Sequence, residues 1–417
     1  MSQKIDISII SSGANLADAR LHRLTNALLG AGLSVEIFAP GNLGDAPRTI
    51  TDRSSASTTP QLIVHETRGK FRSSKNLLAR YHRSRIYSLR ARGRIFYAIS
   101  PEAVAPAFFQ SKLLRRKFAV DFYEDYVRVL KDRSWAKKYF GILGLIAQMD
   151  AKVALSLSKI ADLTTVADVQ VPPFVAGNRQ VVRNFPDQSL LTQSGNRSTK
   201  PRAIYIGDMR TSRGLRTMLK AAELAPDWEF DFVGPVAEAD RDFVEKWVIK
   251  NMSQNSANIS SSRIRFHGKL APRDAWKFAE GAWVGLSLLE NTPAFVEAIP
   301  SKLYEYMAVG VAIISSPLPR CVELINKSGA GTIAASAEDV AAQLNAWSMQ
   351  VSDLQGLRGL KIMKDEASDL HDRVPNREDE VSEIDRIRST AKRWAEQNLD
   401  SDAEYRNFAD NMRKILN

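Results

Sequence analysis

Two carboxylates with seven residues between them, in Glu297-Ala-Ile-Pro-Ser-Lys-Leu-Tyr-Glu305, bracket a helix start. Pro300 suits the first turn of a helix, where its missing N–H costs nothing. From Ser301 onward the helix offers unpaired amides and the positive end of its dipole, a ready site for a diphosphate. Lys302 adds a positive charge there. Glu305 lies about one turn further in and Glu297 on the approaching loop, so both can face one ligand, the first accepting from ribose hydroxyls and the second from sugar hydroxyls. The plain alternative is a surface helix acid and a solvated loop acid.

A second group is Tyr205-Ile-Gly-Asp-Met-Arg-Thr-Ser-Arg-Gly214. It follows an apolar run that reads as a buried strand and precedes a helix, the place where ligands bind at the carboxyl edge of a parallel sheet. Gly207 permits close backbone approach. Arg210 and Arg213 can neutralise a pyrophosphate bidentately, although a loop arginine is more often simply solvated.

The elements that must carry these residues are legible as two successive α/β runs. In the first half, stretches 5–10, 35–39, 62–65, 95–99, 119–123 and 163–166 are short and apolar, several of them throughout. Such strands are buried on both faces and belong in parallel sheets covered by helices. Leu21, Leu24, Leu28 and Leu29 share one face of a helix that Asn15 or Asp18 can cap and Gly30 and Gly32 can end. Residues 188–201 are polar and rich in Ser and Thr, and read as a linker. Alternation then restarts, with strands expected at 203–206, 230–233, 264–267, 284–289, 312–315 and 332–334. The expected fold class is α/β, two Rossmann-like domains facing a central cleft: 1–187, 202–386, and C-terminal helices over 387–417 crossing back to the first domain. Residues 353–386 are highly charged and weakly periodic, and read as an insertion.

At 417 residues, 44% hydrophobic and 25% charged, two globular domains are the default. The single cysteine, Cys321, excludes an internal disulfide and fits a reducing compartment. The amino terminus reads as a first strand rather than a signal peptide, and nowhere do eighteen apolar residues run together. A cytoplasmic protein is expected. The net charge of +11 is uneven: no acid lies between Glu66 and Glu102, while Arg68, Lys70, Arg72, Lys75, Arg80, Arg83, Arg85, Arg90, Arg92 and Arg94 crowd that segment. With Leu77, Leu78, Tyr81, Ile86, Tyr87 and Leu89 interleaved, residues 68–94 resemble an interfacial helix for an anionic membrane surface. A solvated basic face is the simpler alternative. No recognition motif accompanies the charge, so nucleic acid is not expected.

Other chemistries leave no mark. Asp-x-Asp spacing occurs at Asp240/Asp242 and Asp400/Asp402, both in polar, helix-starting contexts, and the five histidines have no ligand spacing, so no metal is expected. No Gly-x-Ser-x-Gly elbow or phosphate loop appears, and the lack of Gly-x-Gly-x-x-Gly counts against a nicotinamide cofactor.

The order of these pieces resembles the retaining glycosyltransferases of family 4, with the GT-B fold, along nearly the whole chain apart from 353–386. Gly13 with Asp18-Ala19-Arg20 matches the family's opening loop. Asp121-Phe-Tyr-Glu124-Asp125 matches its acidic motif, and Asn184-Phe-Pro186 its turn into the linker. Gly207 to Arg213-Gly214 matches its Gly-x-x-x-x-x-Lys/Arg-Gly loop, and Glu297 with Glu305 its pair of glutamates. Two positions depart: Asp208 stands where an arginine is usual after the loop glycine, and Tyr123 where a histidine is frequent. The resemblance implies retaining transfer from a UDP- or GDP-sugar to a glycan or lipid-linked acceptor in envelope or extracellular polysaccharide synthesis, without cofactor or metal. Arg210, Arg213 and Glu297 would act at the reacting centre. Gly207, Gly214, Ser301, Lys302 and Glu305 would hold the donor. Gly13, Arg20, Tyr123 and Glu124 would line the acceptor side. A nucleotide-sugar epimerase and a non-enzymatic scaffold of the same fold are the rival readings.

Overall fold

A computed structural model describes residues 4–47, 60–65, 77–132, 141–253, 263–367 and 381–417. The chain divides into two compact units, residues 1–184 with 400–417 and residues 185–399. The first division falls at 184/185 rather than 187. The sequence expected the return at 387, but it comes at 399/400. The polar stretch read as a linker folds onto the second unit, where the Ser194 amide bonds the Val309 carbonyl and the Ser198 amide that of Gly281.

The first unit is built on β1 (Ile7–Ile10), β2 (Val35–Phe38), β3 (Leu62–His65), β4 (Ile95–Ala98), β5 (Lys117–Phe122), β6 (Leu163–Val166) and β7 (Arg179–Val181). They form one parallel sheet in the order β3-β2-β1-β4-β5-β6-β7. Strand β7 is the one the sequence did not announce: three residues, Arg-Gln-Val, carry no apolar alternation. Helices α1 (Ala19–Gly30), α2 (Leu77–Arg90), α3 (Pro101–Leu113), α4 (Tyr126–Asp132) and α5 (Ile142–Ser158) connect the strands. Asp18 caps α1, accepting from the Leu21 amide.

The second unit repeats the plan with β8 (Arg202–Ile206), β9 (Glu229–Val233), β10 (Ile264–Gly268), β11 (Val284–Ser287), β12 (Ala312–Ser315) and β13 (Gly331–Ile333). These six parallel strands are ordered β10-β9-β8-β11-β12-β13. Helices α6 (Leu215–Leu224), α7 (Arg241–Ser253), α8 (Pro272–Trp276), α9 (Ser301–Val309), α10 (Pro319–Ser328), α11 (Ala337–Ala367) and α12 (Glu383–Asn398) cover it. Helix α13 (Ser401–Leu416) belongs to the first unit, where Tyr405, Phe408, Ala409 and Met412 enter the core beside Ile7, Ile9 and Leu24. The charged stretch beginning at Asp353 continues α11 as far as Ala367.

Strand alternation sends side chains into a core on each face of each sheet. Ala203 and Tyr205 of β8 pack on one side with Trp228 and Trp283, while Ile204 between them packs on the other with Leu303 and Tyr306. Strand order reverses direction between β1 and β4 and between β8 and β11. Loops leaving adjacent strands part there, opening a crevice at their carboxyl ends.

Candidate active site

At the reversal point of the second unit, the loop after β8 meets the loop after β11. The Gly207 amide donates to the Val233 carbonyl and the Met209 amide to that of Pro235, carrying the loop alongside the exit of β9. Thr211–Arg213 forms a single 3-10 turn, closed by Gly214 at φ 81°. A Cβ there would run into the Leu288 carbonyl oxygen, so only glycine lets the arginine loop seat against the end of β11. The Glu290 amide donates to the Ser212 carbonyl at 3.0 Å, pinning the two loops together.

Helix α9 opens at the same edge. It begins at Ser301, with Pro300 at the capping position (φ −67°, ψ 136°) rather than within the first turn. The first helical amide with a backbone partner is Leu303, bonding the Pro300 carbonyl, so those of Ser301 and Lys302 stand ahead of the ladder. Lys302 reaches from this turn to the arginine loop: its Nζ lies 4.7 Å from the centre of the Tyr205 ring, and a Cβ on Gly207 would come within 2.5 Å of it. The two stretches that the sequence suggested would share a ligand do converge.

What fixes α9 is a residue the sequence did not single out. Tyr306 is buried, its hydroxyl 3.3 Å from the Ile206 amide, 3.5 Å from the Ile204 carbonyl and 3.4 Å from that of Leu286. Burial pushes this phenol well above its ordinary value, so it stays a neutral donor. Its ring lies where a side chain on Gly285 would be. Tyr306 thereby ties β8, β11 and α9 together and sets the height of Lys302 and Glu305, one turn and one residue before it. A glycine mid-strand beside a bulky helix residue is the signal that could have found it.

The arginine loop has a support equally hidden in sequence. Buried Asp240 accepts from the Thr211 amide at 3.1 Å and the Thr211 hydroxyl at 2.5 Å. The Asp-x-Asp spacing at 240/242 is thus an anchor for the loop. Arg210 forms an ion pair with Asp208, the residue standing in place of the usual arginine. Arg213 is half-buried, and among the described residues its side chain forms no ion pair. Glu297 is exposed on the approach and Glu305 half-buried in α9. Burial, followed by the charge of Asp240, raises the Glu290 carboxyl, against the lowering effect of Arg216.

In the first unit, the loop after β1 meets the exit of β4: the Ser12 amide donates to Ser100 Oγ at 3.0 Å. Gly13 sits there with Arg80 against it, so that a side chain on it would strike that guanidinium. Arg80 pairs with buried Glu102 at 2.5 Å, and Arg83, also buried, donates to the Ser12 carbonyl at 3.0 Å. Tyr123 follows the end of β5 in edge contact with Tyr126, ring centres 5.4 Å apart. Burial and then Glu124 raise its phenol, against the lowering effects of a hydrogen bond with Tyr126 and of the charge of Arg80. Arg20 is held differently. Its guanidinium makes a two-pronged pair with Asp121 at 2.6 and 2.7 Å and donates to the Val182 carbonyl and to Asn184. Burial works against this charge, yet Asp121 outweighs it and holds the group above its ordinary value. Arg20 therefore fastens α1 to β5 and to the exit of β7.

The basic segment expected to face a membrane is partly turned inward. Residues 66–76, with Arg68, Lys70, Arg72 and Lys75, lie outside the described residues. Within α2 and its exit, Arg80 and Arg83 are engaged as above, Arg92 pairs with Glu36 and Arg94 with Asp6. Among the described residues, no helix is long and apolar enough to cross a membrane. No three His, Cys, Asp or Glu among them gather to hold a metal ion.

Residues 187–350, most of the second unit, match the family model described as glycosyl transferases group 1. No curated protein matches the sequence. Among solved structures the chain is similar to the sucrose-phosphate synthase of Thermosynechococcus elongatus (15% identity, 99% of each chain, TM-score 0.63). It is similar to HepE of Anabaena, solved with UDP and glucose (14% identity, 99% of this chain and 100% of that one, TM-score 0.63). It is also similar to the UDP-forming trehalose-phosphate synthase of Burkholderia vietnamiensis (10% identity, 99% and 98%, TM-score 0.60). At these identities the likeness is one of fold. The match places a glycosyl transferases group 1 domain in the second unit, and the two parallel-sheet units have the GT-B fold.

Proposed function

We propose that the chain moves a sugar from a UDP- or GDP-type donor to a hydroxyl of a glycan or lipid-linked acceptor, with retention at the anomeric carbon, in envelope or extracellular polysaccharide synthesis. The observation carrying this reading is the seating of Lys302 on Tyr205 against Gly207, because it sets the first turn of α9 and the arginine loop around one anionic position. Arg213, Lys302 and the amides of Ser301 and Lys302 offset the charge that grows on the diphosphate as the glycosidic C–O bond breaks. Such aimed charges are worth most in the transition state. Glu305 accepts from ribose hydroxyls and Glu297 from the donor sugar. The acceptor oxygen bonds the anomeric carbon on the face that the diphosphate leaves, and its proton passes to the departing phosphate oxygen. The protein supplies no nucleophile. Gly13, Tyr123 and Glu124, with Arg80 between them, form the acceptor side.

That the Anabaena structure holds UDP and glucose supports UDP as the first nucleotide to try. Calorimetry with UDP and GDP tests the reading. One of them should bind, and Lys302→Ala should weaken binding and lower kcat by about 10²-fold, the usual effect of losing one such donor. Absence of binding by either nucleotide, or an unchanged Lys302→Ala enzyme, would overturn it.

A further inference from the structure

Helix α5 is built inside out. Its residues against the protein are small, Gly144, Ala147, Ala151, Ala154 and Ser158, at alternating steps of three and four. Its large apolar residues, Ile142, Leu145, Ile146, Met149 and Val153, keep the same helical spacing on the other side and are 47% to 60% exposed. An ordinary surface helix does the reverse, turning its large side chains to the core. Small residues let α5 lie close to the body, and nothing in that packing calls for the leucine and isoleucines outside.

The neighbouring helix α3 extends the patch. It packs against α5, and its end exposes Phe109, Leu113 and Leu114, with Leu113 at 76%. Large apolar side chains exposed on two helices that pack together mark a contact surface. Cations lie beside it: Lys112, Arg115, Arg116 and Lys117 follow in sequence and are all exposed, Lys117 paired with Asp162 at 3.3 Å, and Lys152 on α5 and Lys159 just past its end are exposed. The one acid of α5, Asp150, is turned towards Glu102, Tyr81 and Arg80.

We propose that the outer face of α5, continued by the end of α3, docks on an anionic lipid surface. Large apolar side chains would enter the headgroup boundary while the lysines and arginines meet lipid phosphates, the pattern of a helix that lies on a bilayer without crossing it. Charge selects lipid over a second copy of this chain, because two such faces would bring like charges together. The face differs from residues 68–94, and the proposal does not depend on the donor reading above.

Flotation of the full chain with vesicles of phosphatidylcholine alone, and of phosphatidylcholine with phosphatidylglycerol, tests it. The chain should float with the anionic vesicles and about tenfold less with the neutral ones. Leu145→Asn with Met149→Asn should cut recovery by roughly tenfold, as should Arg115→Glu with Arg116→Glu, while urea midpoints and UDP titration stay unchanged. Arg85→Glu with Arg90→Glu on α2 should leave flotation intact. Equal recovery on both vesicles, or loss of flotation in the α2 variant alone, overturns the assignment. So does a dimer in size-exclusion chromatography that the α5 substitutions dissociate, which would give the face to a second copy. Because UDP titration is read on the same samples, failure of docking and failure of the donor site are told apart.

Discussion

Asp240 offers the most direct test that the arginine loop is a binding element. Its carboxylate holds the Thr211 amide at 3.1 Å and the Thr211 hydroxyl at 2.5 Å, and that hydroxyl in turn accepts from Arg216 Nε at 3.1 Å. A hydrogen bond to a charged group is worth about 1.5–3 kcal/mol, so Asp240→Ala, which loses two, should cost the ordered loop about 3 kcal/mol or somewhat more. Asp240→Asn keeps one acceptor and should cost about half of that. If Arg213 contacts the diphosphate only from the ordered loop, the same energies appear in donor affinity. At about 1.4 kcal/mol per factor of ten, UDP binding should weaken roughly tenfold in the Asn variant and about 10²-fold in the Ala variant. Calorimetry with UDP measures this, and urea unfolding of the same samples shows how much is global. Unchanged affinity in a variant whose urea midpoint has fallen would refute the reasoning, since the loop could then disorder without the donor noticing.

Asp208→Asn should remove the ion pair with Arg210 and tighten UDP binding by roughly threefold at low salt, an effect that salt should erase; weaker binding would show that Asp208 itself positions the loop. Burial, with Glu102 adding, lifts the Asp150 carboxyl from 3.8 to about 7. A raised acid favours the fold while protonated, so stability should fall as pH rises from about 4 to about 7 and level off beyond. Asp150→Asn should flatten that slope and be more stable at pH 8 by on the order of 2 kcal/mol after allowing for solvent screening, read by urea melts at pH 5 and 8. Asp121→Asn breaks the buried pair with Arg20 and should lower stability by about 3–5 kcal/mol, or less if the amide keeps Thr165 and one guanidinium nitrogen satisfied.

Much of the fold was legible because parallel sheets leave a strong trace. Runs such as Ile7–Ile10 and Ala312–Ser315 are buried on both faces, so their composition alone marks them. Strand β7 escaped because three residues at a sheet edge need no apolar pattern. The boundary between α12 and α13 escaped because both are amphipathic helices of sixteen residues, and sequence does not say which core each apolar face enters. At the candidate site, the sequence singled out the residues proposed to touch a ligand but not those that hold them. Lys302 and Arg213 stand in recognisable loops, whereas Tyr306 and Asp240 act through contacts spanning 100 and 29 residues of chain. The first unit shows the same split: Gly13 lies in a matched motif, but the Arg80–Glu102 pair against it exists only once α2 and α3 are packed.

That split bears on how the second unit tolerates Asp208. A loop that relied on an arginine directly after Gly207 would lose its charge with this residue, and the nearest replacement, Arg210, is already paired with the very aspartate that caused the loss. The net charge of the 208–210 stretch is therefore zero, and on the proposed reading the cations that would face a diphosphate are Arg213, held by the Asp240 anchor, and Lys302, held over Tyr205 by the Tyr306 tether. Both arrive from positions fixed by hydrogen bonds to partly buried groups, so little reorganisation is needed when charge develops, the condition under which electrostatic stabilisation is most effective. On that reading the arginine missing from the motif would be offset by two cations whose supports lie elsewhere in the chain.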